Sequence, residues 1–449
     1  MVINTKKNYK FLNILDRVFV CLFLILNSIS GLQINNISIN SILMFLFVVF
    51  VLLKYVDKRN KKKRNIPKNN IFVFFIFSCI ISCVISLVYE YVIPHANIAF
   101  SFLINCICYL IIFIILFNID KEFFKEICEI FINGLIYAAR VQVIWGILQM
   151  VLIYTNNINI NKILFVDILH STISENWVMG FYTNGKWILR ITGLNYENAI
   201  FAIVVCIGLT LEKNKIWKTV MTASIILSLS RTGWFMVAVY YFVIFIKHIK
   251  SGKKFSKNQI LKVSLIFLFI FSIGILMYFF NDTVKLQINS IYYRIVDNSS
   301  NEVSGNRHLL YYIYGPYLLF NRSNIFQILF GYGIRCSGIP FSQNIDIFSK
   351  IGGTMNYTSA WAVESDVIGL LLGGGIITTL LYYIMNLRLI KRNNIFSNTI
   401  IIILFGGITY HFHSISYIIL IFIFASIYIL KENQKEGINE QDSNFNNKL

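Results

Sequence analysis

Charge is scarce in this chain: only 14% of its 449 residues are Asp, Glu, Lys or Arg, against roughly 25% in soluble domains. That shortage excludes an ordinary water-facing surface. Motifs for several common chemistries are missing as well. There is no CxxC and no Cys/His ligand spacing, so neither a disulfide framework nor a zinc site is supported. No GxxxxGK, Rossmann fingerprint, HExxH or DxD occurs. The first apolar run lacks a small-residue cleavage site and more runs follow it, so it reads as an uncleaved anchor. No internal repeat is evident.

What the chain has instead is apolar sequence, 57% hydrophobic residues with a mean hydropathy of +0.66. The expectation is an all-α, polytopic integral membrane protein, its segments scaled to a bilayer core that takes about 20 apolar residues per helix. Spans are placed near 13–31, 37–56, 71–93, 97–118, 128–154, 196–211, 216–230, 232–247, 259–280, 366–386, 397–411 and 414–430, about twelve in all. The short pair meeting at Arg231 also reads as one irregular hairpin. Residues 1–430 then form a single transmembrane domain, and the polar tail 431–449 reads as disordered. Seven of the eight Cys lie in or beside the apolar runs and read as small core residues; Cys336 alone falls in a polar loop.

A net charge of +19 could suggest nucleic acid. Its distribution argues for topology: the densest run, "KYVDKRNKKKRNIPKNN" at 54–70, separates two apolar segments. With both termini cytoplasmic, 28 of the 40 Lys and Arg fall on the inner side, as the positive-inside rule asks. Two outer segments are too long for turns, 155–195 and 281–365. The second contains "RHLLYYIYGPYLLF" (307–320), whose aromatic content suits helices at the membrane surface.

The expensive residues map to the outer side. In "IILSLSRTGWFMVAV", Arg231 stands between apolar runs, where a charge costs about 2.5–3.5 kcal/mol. Arg190 stands just before the sixth span, and Glu197 at that span's mouth, in "RITGLNYENAIF". Arg307 opens the surface segment, and Arg335 follows the "GYG" turn. Glu364 and Asp366 stand at the mouth of the tenth span in "AVESDVIGLLLGGGI", and His411 and His413 occupy the turn "YHFHS". Each has a plainer reading too. Arginines snorkel to headgroups, acidic residues suit helix starts, paired histidines suit a surface turn, and Gly373–Gly375 suit close helix packing. Several guanidiniums in an apolar setting nonetheless fit a phosphate-bearing lipid, which Arg grips bidentately without ever deprotonating. A nearby carboxylate could act as general base for a hydroxyl.

"RITGLNYENAIF", "LSLSRTGWFMVAV", "GNRHLLYYIYGPYLLF…LFGYGI" and "VESDVIGLLLGGGI", in this order and with a large outer loop before the last spans, resemble the O-antigen ligase/polymerase superfamily of bacterial membrane glycosyltransferases. The resemblance covers roughly residues 130–430. Ligases of that superfamily often carry a His-Asn type motif near the tenth span; "ESD" stands here, which is more similar to the polysaccharide polymerases that build O-antigen or capsule. It implies a multi-pass protein of the bacterial cytoplasmic membrane that joins undecaprenyl-pyrophosphate-linked oligosaccharides on the outer face. By that resemblance Glu364 and Arg231 are catalytic. Arg190, Arg307 and Arg335, with Glu197, Asp366, His411 and His413, would bind pyrophosphate or sugar. No cofactor or metal is implied, since Arg supplies the charge. The partners implied are lipid-linked oligosaccharides, the bilayer and a chain-length regulator, with no nucleic acid. A ligase of the same superfamily is one alternative. A lipid-linked oligosaccharide flippase or transporter is another, to which Arg140 and Gln142 within the fifth span would speak.

Overall fold

A backbone shielded from water must bond to itself, so long apolar runs become helices. The computed structural model describes residues 12–29, 33–34, 37–57, 70–88, 96–156, 158–168, 181–183, 186–188, 190–195, 197–250, 279, 303–344, 346–347, 363–392, 394–412 and 415–446. Its helices in chain order are α1 (Ile14–Asn27), α2 (Ile39–Asp57), α3 (Ile71–Val88), α4 (Ala96–Asn118), α5 (Lys121–Asn156), α6 (Asn198–Leu211) and α7 (Lys215–Leu227). There follow α8 (Arg231–Lys250), α9 (Val303–Arg322), α10 (Ile325–Phe330), α11 (Ile339–Ser342), α12 (Asp366–Lys391), α13 (Ser397–Gly406) and α14 (Ser416–Asn446). Two minimal antiparallel hairpins accompany them: Gln33–Ile34 with Ile37–Ser38, and Phe181–Thr183 with Lys186–Ile188. The expected span at 259–280 lies outside the described residues except for Phe279, as do much of both outer segments and His413.

Among the described residues, five helices are long and apolar enough to cross a bilayer: α2, α3, α5, α8 and α12. α6, α13 and most of α4 are apolar but shorter. The outward faces are apolar as well. Phe74, Phe77, Ile81 and Val84 are exposed on α3, and Phe242, Phe245 and Ile249 on α8, at helical spacing. Water-soluble proteins rarely expose such bands; these faces belong against lipid, and the chain is a multi-pass membrane protein.

α6 and the first half of α14 form the centre. Asn198–Leu209 is buried without interruption, as is Tyr417–Ile427, the mark of a helix apolar all round. Small residues permit close approach between membrane helices. A Cβ on Gly208 of α6 would lie 2.2 Å from that of Ala139 on α5, and Phe131 of α5 stacks on Phe424 of α14 at 3.8 Å.

The polar tail is helical to Asn446, which corrects the expectation of disorder at 431–449. A helix already nucleated by its apolar half propagates cheaply, and "KENQKEGINEQ" is rich in Lys, Glu and Gln, all good helix formers.

α12 is broken. Gly375 has φ 69° and ψ −175° inside it, and the freed carbonyls are taken by the "GYG" loop. Tyr332 N–H donates to Leu372 O and Gly333 N–H to Gly373 O, both at 2.8 Å, while the Ser82 hydroxyl donates to Gly373 O at 2.7 Å. Gly331, at φ 76°, lies so close that a Cβ there would meet Gly373 O at 2.2 Å. The bend is sharp. Tyr382 Oη donates to Asp366 Oδ2 at 2.9 Å, whereas in a straight helix those positions would stand about 24 Å apart.

Candidate functional site

Four consecutive residues of the turn after α13 gather the candidate residues. Gly407 O accepts from Asp366 N–H at 2.6 Å. Ile408 O accepts from Tyr312 Oη at 2.7 Å. Thr409 Oγ1 lies 3.1 Å from Thr232 Oγ1, one residue beyond Arg231. Tyr410 Oη donates to Glu197 Oε2 at 2.7 Å. The turn thus ties together the starts of α12, α8 and α6, plus the middle of α9. Gly407 is the close point, since a Cβ there would lie 2.4 Å from Asp366 Oδ2.

Three helix N-termini therefore meet here, each bringing the positive end of its dipole. Two stand without side-chain caps. Glu197 and Ser365 occupy the N-cap positions of α6 and α12, and neither side chain bonds its own first turn; the Glu197 carboxylate is held by Tyr410 instead. α8 is started by Ser230, whose Oγ accepts from Gly233 N–H at 3.2 Å. The break before it is fixed by Leu229 at φ 54° and by Asn198 Nδ2 donating to Ser228 O at 2.8 Å. Arg231 is the first residue of α8 and is exposed.

The segment carrying Arg190 is clamped to α5 by a buried polar network. Gln149 Oε1 accepts from Thr192 N–H at 3.2 Å, and Gln142 Oε1 from Leu194 N–H at 2.8 Å. Asn161 Nδ2 donates to Thr192 Oγ1 and to Gly193 O at 2.9 and 2.8 Å, and Trp145 Nε1 donates to Asn161 Oδ1 at 2.7 Å. Half-buried Arg190 and Glu364 both act electrostatically on Glu197. The charges of Arg190, Glu197 and Glu364 thus share one locus.

Glu364 is half-buried, and its neighbours on either side are pinned. Val363 N–H donates to Ser337 Oγ at 2.9 Å, Ser365 Oγ lies 2.8 Å from Tyr312 Oη, and Asp366 is bonded through both backbone and carboxylate. Asp366 is buried and its carboxylate faces Tyr382, a helix-start role. His411 stacks on Tyr410 at 4.4 Å. Arg335 is exposed on the loop after "GYG", where its charge acts on Tyr109 of α4 and on Cys336. Arg307 is the fifth residue of α9; His413 lies outside the described residues. Among the described residues, no group of three His, Cys, Asp or Glu is placed to hold a metal ion.

Arg140 and Gln142, the residues that speak for a transporter, have local partners. Arg140 pairs with Glu212 at 2.7 Å and lies over the Trp217 ring at 4.9 Å, while Gln142 Nε2 bonds Ser28 Oγ at 3.2 Å and its Oε1 bonds Leu194. Sequence reasoning missed Tyr312, Tyr382, Thr409 and Tyr410. Tyr312 lay within the aromatic-rich segment, but nothing in its neighbours marked it out.

α13 spans ten residues, about 15 Å, and separates the turn from a loop that follows Arg388, Lys391 and Arg392.

No family model matches the chain, and no curated protein matches it.

Proposed function

We propose that the protein is a membrane glycosyltransferase that polymerises undecaprenyl-pyrophosphate-linked oligosaccharide repeat units into O-antigen or capsular polysaccharide. In this reading about twelve spans place both termini in the cytoplasm, and the site opens to the outer face of a bacterial cytoplasmic membrane. The observation that carries it is the turn 407–410, which draws Glu197, the flanks of Glu364 and the start of α8 at Arg231 to one place, with Arg190 in electrostatic reach.

Glu364 takes the proton from a hydroxyl of the incoming repeat unit. The hydroxyl oxygen bonds the anomeric carbon of the growing chain from the side opposite the leaving group. The bond from that carbon to the pyrophosphate oxygen breaks, and undecaprenyl pyrophosphate departs with the electron pair. Arg231 and Arg190, with Arg307 a further candidate, hold the departing pyrophosphate, aided by the uncapped starts of α6 and α12. Fixed cations and dipoles aimed where charge develops are the largest source of such catalysis. Because these groups supply the positive charge, the scheme needs no metal.

The test is the purified protein in lipid nanodiscs with a synthetic undecaprenyl-pyrophosphate oligosaccharide. A ladder of products is expected, lost in Arg231→Lys and in Glu364→Gln at unchanged protein level. An undiminished ladder from both variants refutes the site, and transfer only to a separate acceptor would identify a ligase.

One observation favours a second reading. A broken helix beside ionisable residues at membrane depth is what secondary transporters use, and α12 breaks at Gly375. Movement of intact lipid-linked oligosaccharide between leaflets, without a ladder, would select it.

A further inference from the structure

We infer that Tyr312 is a positioning residue that sets where Glu364 stands, an inference that rests on the glycosyl-transfer reading above. A phenol has one proton, and Tyr312 gives it to Ile408 O at 2.7 Å. The 2.8 Å contact with Ser365 Oγ is therefore one in which Tyr312 accepts, and the bonds run in one direction: Ser365 hydroxyl to Tyr312, Tyr312 to the turn. Ser365 is the N-cap residue of α12, and its side chain makes no capping bond there.

Glu364 is the residue between two such anchors. Ser337 holds Val363 on one side, and the Ser365–Tyr312–Ile408 relay holds the other. The relay also joins Ser365 to the same turn that bonds Glu197 through Tyr410. Tyr312 thus fixes the separation between the two halves of the site, one on α12 and one on α6. It reaches there because α9 seats closely on α12. Gly315, on the same side of α9 one turn along, packs where a Cβ would meet Ile368 Cγ2 at 2.6 Å. The opposite face of α9 exposes Leu309, Ile313, Tyr317 and Phe320, while Tyr311 is buried and Tyr312 half-buried on the side that meets α12.

Tyr312→Phe removes one oxygen and keeps the ring. In the nanodisc ladder assay it should lower kcat between about 10- and 100-fold, the range that a misplacement of about 1 Å produces. KM for the lipid-linked donor should stay within about twofold. Ser365→Ala should do the same, and the double variant should be no slower than the slower single one, since both cut one relay. Amide hydrogen exchange should quicken at Ser365 and Asp366 while the core of α6 stays protected. Wild-type kcat in Tyr312→Phe, additive losses in the double variant, or a loss that follows a fall in melting temperature would each overturn the role. If the wild-type protein makes no ladder, the glycosyl-transfer reading fails by itself. The exchange measurement then decides the relay alone: unchanged rates at Ser365 and Asp366 in Tyr312→Phe would overturn it.

Discussion

Gly407→Ala tests whether the turn after α13 sets the position of α12. The added Cβ would lie 2.4 Å from Asp366 Oδ2 and 3.0 Å from Asp366 Cβ, where ordinary contact begins at 3.4 Å. Relief swings the Asp366 carboxylate off Tyr382 and parts the start of α12 from the turn by up to about 1 Å, a shift that costs a reaction about 100-fold when it moves a catalytic group. In barrier terms that is about 2.7 kcal/mol. The 2.6 Å bond from Asp366 N–H to Gly407 O weakens at the same time, a net effect of about 1 kcal/mol on stability. The measurement is the initial rate of ladder formation by purified protein at matched concentration, beside a thermal melt in detergent. The expected result is a rate near 1% of wild type with a melting temperature lowered by only a few degrees. A rate within about twofold of wild type refutes the reasoning, because the turn would then be no more than a linker. So does a rate loss fully explained by unfolding.

Two further outcomes concern the scaffold. Gly331→Ala should destabilise the protein by about 2–5 kcal/mol, from a φ of 76° with ψ in a region essentially closed to other residues and from a Cβ 2.2 Å from the Gly373 carbonyl; an unchanged melting temperature would contradict this. The Arg140–Glu212 pair should make stability pH-dependent. Burial works against the Glu212 carboxylate, but the Asn214 amide, the Arg140 guanidinium and the Lys213 amide more than offset it, so its pKa lies below the usual 4.5. A carboxyl depressed on folding contributes stability that is present above its unfolded value and lost as pH falls through the folded one. Acid melts of wild type should therefore show a decline below about pH 4.5 that Arg140→Met makes shallower, and equal slopes would remove the pair from the account.

The bundle was readable where composition alone decides the structure. The apolar runs at 37–56, 71–93, 128–154, 232–247 and 366–386 correspond to α2, α3, α5, α8 and α12, because in lipid a long apolar stretch has few other choices. Arg190, Glu197 and Glu364 stood out as costly charges, and the structure puts them within electrostatic range. What gathers them was not legible. Gly407 and Ile408 act through backbone carbonyls, and Thr409 and Tyr410 through hydroxyls; carbonyls belong to every residue and so leave no mark on sequence. The pairing of "GYG" with Leu372 and Gly373 likewise joins backbones some 40 positions apart. The helical tail was missed for another reason: its polarity spoke of solvent, while the apolar half upstream had already met the cost of starting a helix.

The turn at 407–410 has a consequence for the order of synthesis. Every group it bonds comes from an earlier part of the chain, from position 197 to position 366. While the ribosome is still upstream of α13, the starts of α6, α8 and α12 are already made but lack the segment that joins all three. The turn's four ties form only after α13 and the residues that follow it have been made.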